Sequence, residues 1–208
     1  MTVPADSNSE SLQKLLAGRR GHFQMESGYH SERWFDLDSL FDQPEKLKPF
    51  AGELGRRLAS HGINAICGPV TGGATLAGII GRELGLEFFA AERFVDPRAT
   101  GLFPVHYQVP AAARERVRGR RIAIVDDAIS AGSAVRGTYA DLMACGARPA
   151  ALGALFVFGA AAGKFAAEKA LPLEAIAQIE YGLWQPADCP LCRAGVAVEI
   201  VSDAPTVR

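Results

Sequence analysis

The sequence predicts an α/β fold, a mainly parallel sheet flanked by helices. Three observations carry that expectation. Short apolar runs alternate with longer segments of helical spacing. Each run is apolar at nearly every position, as a strand covered by helices on both faces must be. The runs stop at Gly, Asp or Glu, so small and acidic residues gather at the carboxyl ends of the strands, where open α/β sheets bind ligands.

The elements follow in order. Residues 1–10 are polar and carry no hydrophobic signal core, so no export signal is expected. Residues 23–40 are rich in aromatic and polar side chains and read as a cap, or hood, over the sheet. Leu47, Phe50, Ala51, Leu54 and Leu58 fall at helical spacing, ended by His61-Gly62. Pro49 lies inside that pattern and is expected to move the helix start to its own position. A strand over 65–67 stops at Gly68-Pro69, and a helix over 75–84 is followed by Gly85. A strand over 86–91 stops at Glu92-Arg93. Residues 96–117 form a long connection with one strand-like run, 105–109; such connections are often mobile active-site elements. A strand over 121–125 stops at Asp126-Asp127, a helix over 134–143 leads to Gly146, and a strand over 151–158 stops at Gly159. The alanine-rich stretch 159–170 is the one compositionally biased tract, and no internal repeat is present. The organisation expected is a segment and hood over 1–45, a ligand-binding α/β core over 46–180 and a tail over 181–208.

Composition narrows the function. At 208 residues the chain supports one well-buried domain with a small appendage. With 49% hydrophobic residues and a formal charge of −1 it lacks the basic stripe of a general nucleic-acid binder. No apolar stretch reaches the ~20 residues of a membrane span. Cys67 and Cys145 sit alone in apolar stretches, which suits a reduced, cytoplasmic chain better than a disulfide framework.

The most informative stretch runs from Arg121 through Asp126, Asp127, Ala128, Ile129, Ser130, Ala131, Gly132 and Ser133. A buried strand delivers two carboxylates to the sheet edge, and a small-residue loop then opens a helix. Backbone N–H groups of such a loop and the helix N-terminus form an anion site, with Ser130 and Ser133 as added donors. Carboxylates beside it suit sugar hydroxyls or magnesium. The plainer alternative is an acidic strand end with Ser133 as helix N-cap. The whole stretch resembles the signature of type I phosphoribosyltransferases, enzymes of 5-phosphoribosyl-1-diphosphate (PRPP) with a Rossmann-like sheet. That resemblance implies Asp126 and Asp127 on the ribose hydroxyls and residues 128–133 around the 5′-phosphate.

A second loop, Val70-Thr71-Gly72-Gly73, also joins a strand to a helix. Alone it is as readily a tight turn as a diphosphate cradle. One strand–helix unit upstream of the acidic pair, it matches the family's pyrophosphate loop. The run from Gly21 to Asp36, with Ser27-Gly28-Tyr29-His30-Ser31 and Trp34-Phe35, looks like the hood of orotate phosphoribosyltransferase. The likeness to that enzyme covers roughly 15–151 and implies Trp34 and Phe35 facing the base, against the alternative that both are core aromatics.

The sequence also departs from the orotate pattern. Glu26 stands where the family usually has Lys, and Thr71-Gly72 matches a Tyr-Lys pair. The stretch 93–100 offers Arg93 and Arg98 in place of a Lys-rich loop, and Val157-Phe158-Gly159 replaces an Asp-Arg pair. If Glu26 lines the base pocket, orotate's carboxylate would meet a carboxylate, and a neutral or amine-bearing base would be favoured. Arg93 is the expected diphosphate-neutralising residue.

The resemblance implies transfer of the phosphoribosyl group to a nucleobase, substrate-bound Mg²⁺ and a homodimer. Alternatives are a different base or a catalytically weak PRPP-sensing regulator. In the tail, Cys189-Pro-Leu-Cys192 resembles half of a zinc knuckle, but a structural zinc needs four ligands. The version considered is a site bridging two subunits. His22, His30, His61 and His106 show no metal-motif spacing and are expected in surface or packing roles.

Overall fold

The computed structural model describes residues 7–95, 102 and 104–201. Helix α1 (Ser7–Gln13) precedes an antiparallel hairpin, β1 (Ala17–Gln24) and β2 (His30–Asp36). Then come α2 (Pro44–Ala59), β3 (Ala65–Pro69), α3 (Gly72–Leu84), β4 (Glu87–Val95) and β5 (Val105–Gln108). After α4 (Ala111–Val117) the chain runs through β6 (Arg121–Ile129), α5 (Ser133–Ala144), β7 (Arg148–Phe158), α6 (Ala161–Glu168) and β8 (Leu173–Ile179). It ends with β9 (Leu183–Trp184), α7 (Pro190–Arg193) and β10 (Glu199–Ile200).

The central sheet has six strands in the order β5-β4-β3-β6-β7-β8, parallel except for the β4–β5 pair. This is the mainly parallel α/β sheet the sequence predicts. Its faces are covered by two apolar layers. Leu54 and Leu58 of α2 and Leu76 and Ile80 of α3 pack with Ile66, Val125 and Phe156. Val135 and Leu142 of α5 and Phe165 of α6 pack with Cys67, Ile124 and Leu152. Burial of this kind contributes ~25 cal/mol per Å² of apolar surface, and α2 shows how it overrides local preference. Its first position is Pro44, not Pro49 as expected, and Pro49 lies inside the helix. The N–H that Pro49 lacks would have bonded the Glu45 carbonyl, but both residues are exposed, so water can serve that carbonyl. Leu47, Phe50, Ala51 and Leu54 on the other side stay buried and hold the helix together.

Three further differences bear on the site. Strand β6 does not stop at Asp126 but continues to Ile129, with Asp126 paired to Ala154 and Ala128 to Phe156 of β7. Helix α3 begins at Gly72 rather than Thr75. The segment past Gly159 forms α6 and the edge strand β8, neither of them expected.

The second sheet draws on both ends of the chain, in the order β10-β1-β2-β9. β10 pairs parallel with Phe23–Gln24, and β9 pairs antiparallel with His30–Ser31. Among the described residues no helix is long and apolar enough to cross a membrane.

Candidate active site

A cavity of about 390 Å³ lies between the carboxyl ends of β3 and β6 and the hairpin β1–β2. Asp126 and Asp127 line it although only 7% and 9% exposed. Burial pushes both carboxyls above the usual range, and for Asp126 the neighbouring charge of Asp127 adds to the rise. The Asp127 N–H donates to Asp126 Oδ1 at 3.1 Å, and the Ala128 N–H to Asp127 Oδ1 at 2.9 Å. Among the described residues neither carboxylate has an ion-pair partner.

Two strand-to-helix loops flank this pair. The first carries a cis peptide between Val70 and Thr71, and Val70, Thr71 and Gly72 line the cavity. The glycines are there for close approach. A Cβ on Gly72 would collide with Asp127 Oδ2, and one on Gly73 would stand 2.7 Å from Asp126 Oδ1. The second loop turns at Gly132, whose φ of 81° is the left-handed conformation glycine adopts without penalty. Gly132 is the N-cap, so Ser133 is the first helical residue, with no side-chain cap bond. The capping role considered for Ser133 is therefore not the one it has; it lines the cavity with Ser130.

The opposite wall is aromatic. Phe35 stacks on Phe158 with ring centroids 4.9 Å apart and planes within 5°, and Tyr181 leans on Phe158 at 5.2 Å. The Tyr181 hydroxyl donates to the Arg33 carbonyl at 2.8 Å, fixing that ring. Trp34 also borders the cavity, and the Arg19 guanidinium lies 5.2 Å from its ring.

Glu26 lies at the cavity but not as a lone carboxylate. Arg93 Nε donates to its Oε2 at 2.8 Å and the Tyr107 hydroxyl to its Oε1 at 2.9 Å. Burial would lower the Arg93 guanidinium, but the bond to Glu26 and its charge raise it on balance. Burial, then the charge of Glu26, push the Tyr107 phenol well up, so it stays a donor. Arg93 is thus engaged by Glu26 rather than facing the cavity as an unpaired cation.

Of the residues singled out from sequence, the cavity gathers Glu26, Trp34, Phe35, Val70, Thr71, Gly72, Arg93, Asp126, Asp127, Ala128, Ile129, Ser130, Gly132 and Ser133. Gly73 and Ala131 do not line it. Both are buried: Gly73 under Asp126, and Ala131 against the core. Tyr107, Phe158 and Tyr181 were not singled out as site residues, although Tyr107 lies in the strand-like run 105–109 and Phe158 in the apolar stretch noted at 157–159. Residues 96–101 and 103 of the long connection, Arg98 included, lie outside the described residues.

Cys189 and Cys192 stand apart from this cavity. His22 and His30, read as surface or packing residues, are buried beside the two thiols, so four candidate ligands of two types meet within a single chain. The hairpin puts the two imidazoles on neighbouring strands, a placement that spacing along the sequence does not reveal.

The sequence relatives match most of the chain. The orotate phosphoribosyltransferase of Thermotoga maritima is 28% identical over 91% of this chain and 94% of that protein. That of Chlorobaculum parvum is 28% identical over 97% of both. The chain is thus similar to orotate phosphoribosyltransferases over most of its length. No family model matches it. Solved phosphoribosyltransferases share its fold: the adenine phosphoribosyltransferase of Trypanosoma brucei superposes with a TM-score of 0.66 at 15% identity, covering 85% of this chain and 81% of that one. The orotate phosphoribosyltransferase of Aeropyrum pernix gives 0.61 at 21% identity, covering 82% and 93%. The cavity is acidic: Glu26, Asp36, Asp38, Asp126 and Asp127 line it against Arg93 as the one Lys or Arg among the described lining residues.

Proposed function

We propose that the chain transfers the 5-phosphoribosyl group of PRPP to orotate with release of diphosphate, a step of pyrimidine nucleotide biosynthesis. The observation that carries this reading is the buried pair Asp126–Asp127 set between the two strand-to-helix loops that open α3 and α5, with a stacking wall opposite. Each carboxylate would accept a hydroxyl of the ribose, a bond stronger than one between neutral groups. The loop 130–133 and the N-terminus of α5 would take the 5′-phosphate, and 70–72 the diphosphate. The stacked pair of Phe35 and Phe158 would back the base. In the substitution the lone pair of a base ring nitrogen forms the N–C1 bond. The C1–O bond breaks, and its electron pair leaves with diphosphate. The transition state is oxocarbenium-like, so the protein's part is positioning and charge stabilisation.

Mg²⁺ fits this donor set. Asp126 and Asp127 are hard oxygen ligands without a cation beside them, and a diphosphate entering five carboxylates needs its charge offset. The ion would be held by Asp126 or Asp127 together with substrate oxygens and water. It would supply charge neutralisation on the leaving group. Arg93 can contribute only if it exchanges Glu26 for an incoming anion, and a carboxylate-bearing base is one such anion.

Glu26 favours a second reading, in which its carboxylate accepts a hydrogen bond from an amine-bearing base. A screen of orotate, uracil, adenine, guanine and hypoxanthine with PRPP and Mg²⁺, reading diphosphate release, separates the two. Release with orotate is expected. Release with an amine-bearing base alone would replace orotate, and release with none of them would remove the transfer reading.

We further propose a homodimer, as in the family. The exposed Phe88 and Phe94, an even number of residues apart on β4 and so on one side of it, support it as apolar surface in need of cover. Light scattering that reads a monomer at working concentration would exclude it.

A further inference from the structure

His22, His30, Cys189 and Cys192 offer one ligand atom each within 4.8 Å of one another. His22 Nε2 lies 2.9 Å from His30 Nδ1, 3.4 Å from Cys189 Sγ and 3.7 Å from Cys192 Sγ. His30 Nδ1 lies 3.3 Å from Cys192 Sγ. Zinc bond lengths of ~2.0–2.1 Å to nitrogen and ~2.3 Å to sulfur make tetrahedron edges of about 3.3 Å for N–N, 3.6 Å for N–S and 3.8 Å for S–S. The observed separations fall close to those edges. We propose that these four side chains form a tetrahedral Zn²⁺ site that joins the hood hairpin to the C-terminal segment.

Hydrogen bonding alone accounts poorly for the cluster. His22 Nδ1 donates to the Val196 carbonyl at 2.8 Å, so Nε2 carries the lone pair, and it faces the cluster. One lone pair is then confronted by three groups that could serve only as donors to it: an imidazole N–H and two thiols. A single cation uses all four lone pairs at once. The carbonyl of Val196 also supplies the outer contact that orients a metal-bound imidazole and fixes its tautomer. Two soft thiolates and two imidazoles in tetrahedral array select zinc over magnesium or calcium.

Local structure builds the site without strain on either side. Cys189 is the N-cap of α7 and Cys192 lies one turn on, which brings both sulfurs to one side. Gly195, at φ 70°, then reverses the chain, and the Val196 N–H bonds the Leu191 carbonyl at 3.0 Å. That turn delivers the Val196 carbonyl to His22 and leads on to β10 beside Phe23–Gln24. None of the four ligands lines the active-site cavity. The site is therefore independent of the transfer chemistry, although it holds the hairpin that carries Glu26, Trp34 and Phe35.

The test uses the full chain purified without added metal. Elemental analysis should give about one zinc per chain. Cobalt replacement should give the thiolate charge-transfer and visible bands of a tetrahedral Co²⁺ site. Cys192→Ser and His30→Ala should reduce zinc to near zero, with circular dichroism confirming that the variants fold. A wild-type chain that binds neither Zn²⁺ nor Co²⁺ would overturn the proposal without any variant. So would another metal in place of zinc, octahedral cobalt spectra, or stoichiometric zinc retained by folded variants.

Discussion

Asp126 and Asp127 are packed under the glycines of the first loop with no counter-charge among the described residues, so their ionised forms are disfavoured in the unliganded chain. A carboxyl with a raised folded-state pKa contributes stability that is present below its unfolded value, near 4, and lost as pH rises through the raised value. At neutral pH the pair is therefore a burden on the fold, which the proposed ligand contacts would relieve. Asp126→Asn with Asp127→Asn should melt no lower than the wild type at pH 7 to 8. Its PRPP affinity should fall by about 100-fold or more, since two charge-assisted bonds at ~1.5–3 kcal/mol each are weakened. Calorimetry on the folded double variant that finds unchanged affinity would remove the pair from the site. These acids were legible in the sequence because they interrupt an apolar run. His22 and His30 were not, because eight residues of separation is no metal spacing; they meet only once the hairpin register sets His30 beside Gln24.

Among the elements, the apolar runs identified β3, β4, β6 and β7, but their ends ran further than side-chain polarity suggested. The ladder between β6 and β7 continues past the acids because it is made by backbone groups, which do not depend on what the side chain is. Strand β8 was hidden by glutamate and glutamine within its alternation, and by its place at the sheet edge, where one side chain in two faces water. The early start of α3 has a functional consequence. With Gly72 in the first turn, the helix backbone comes against Asp127 as no residue with a Cβ would allow. Gly72→Ala should keep the fold, since its backbone is not left-handed, yet it must displace the Asp127 carboxylate. Repacking of that kind costs ~1–3 kcal/mol, so kcat/KM for PRPP should drop roughly tenfold or more. Gly163→Ala, where a Cβ meets nothing within 4 Å, should leave the same parameter unchanged. Steady-state kinetics on the pair checks this, and equal values for both would show that the close approach at Gly72 has no bearing on PRPP.

At the scale of the molecule, the two functional halves are built differently. The side proposed to meet ribose and phosphate belongs to the six-stranded sheet, covered on both faces by apolar layers. The side proposed to meet the base belongs to a hairpin flanked by β9 and β10 of two residues each, and a two-stranded hairpin alone is marginal in water. The paired Arg19 and Glu199 carboxylate contact across β1–β10 is about half exposed and adds little. The sequence showed the hood and the tail as separate segments because pairing between distant strands leaves no local signal. Removing residues 183–208 should therefore act on one half alone. The hairpin should lose amide protection in hydrogen exchange, and KM for the base should rise by roughly tenfold or more, the scale of one lost contact set. PRPP affinity should stay within about threefold, because Asp126, Asp127 and both loops keep their own packing. A truncated chain with a protected hairpin and an unchanged base KM would mean that the hairpin is held by the central sheet instead, through the stack of Phe35 on Phe158.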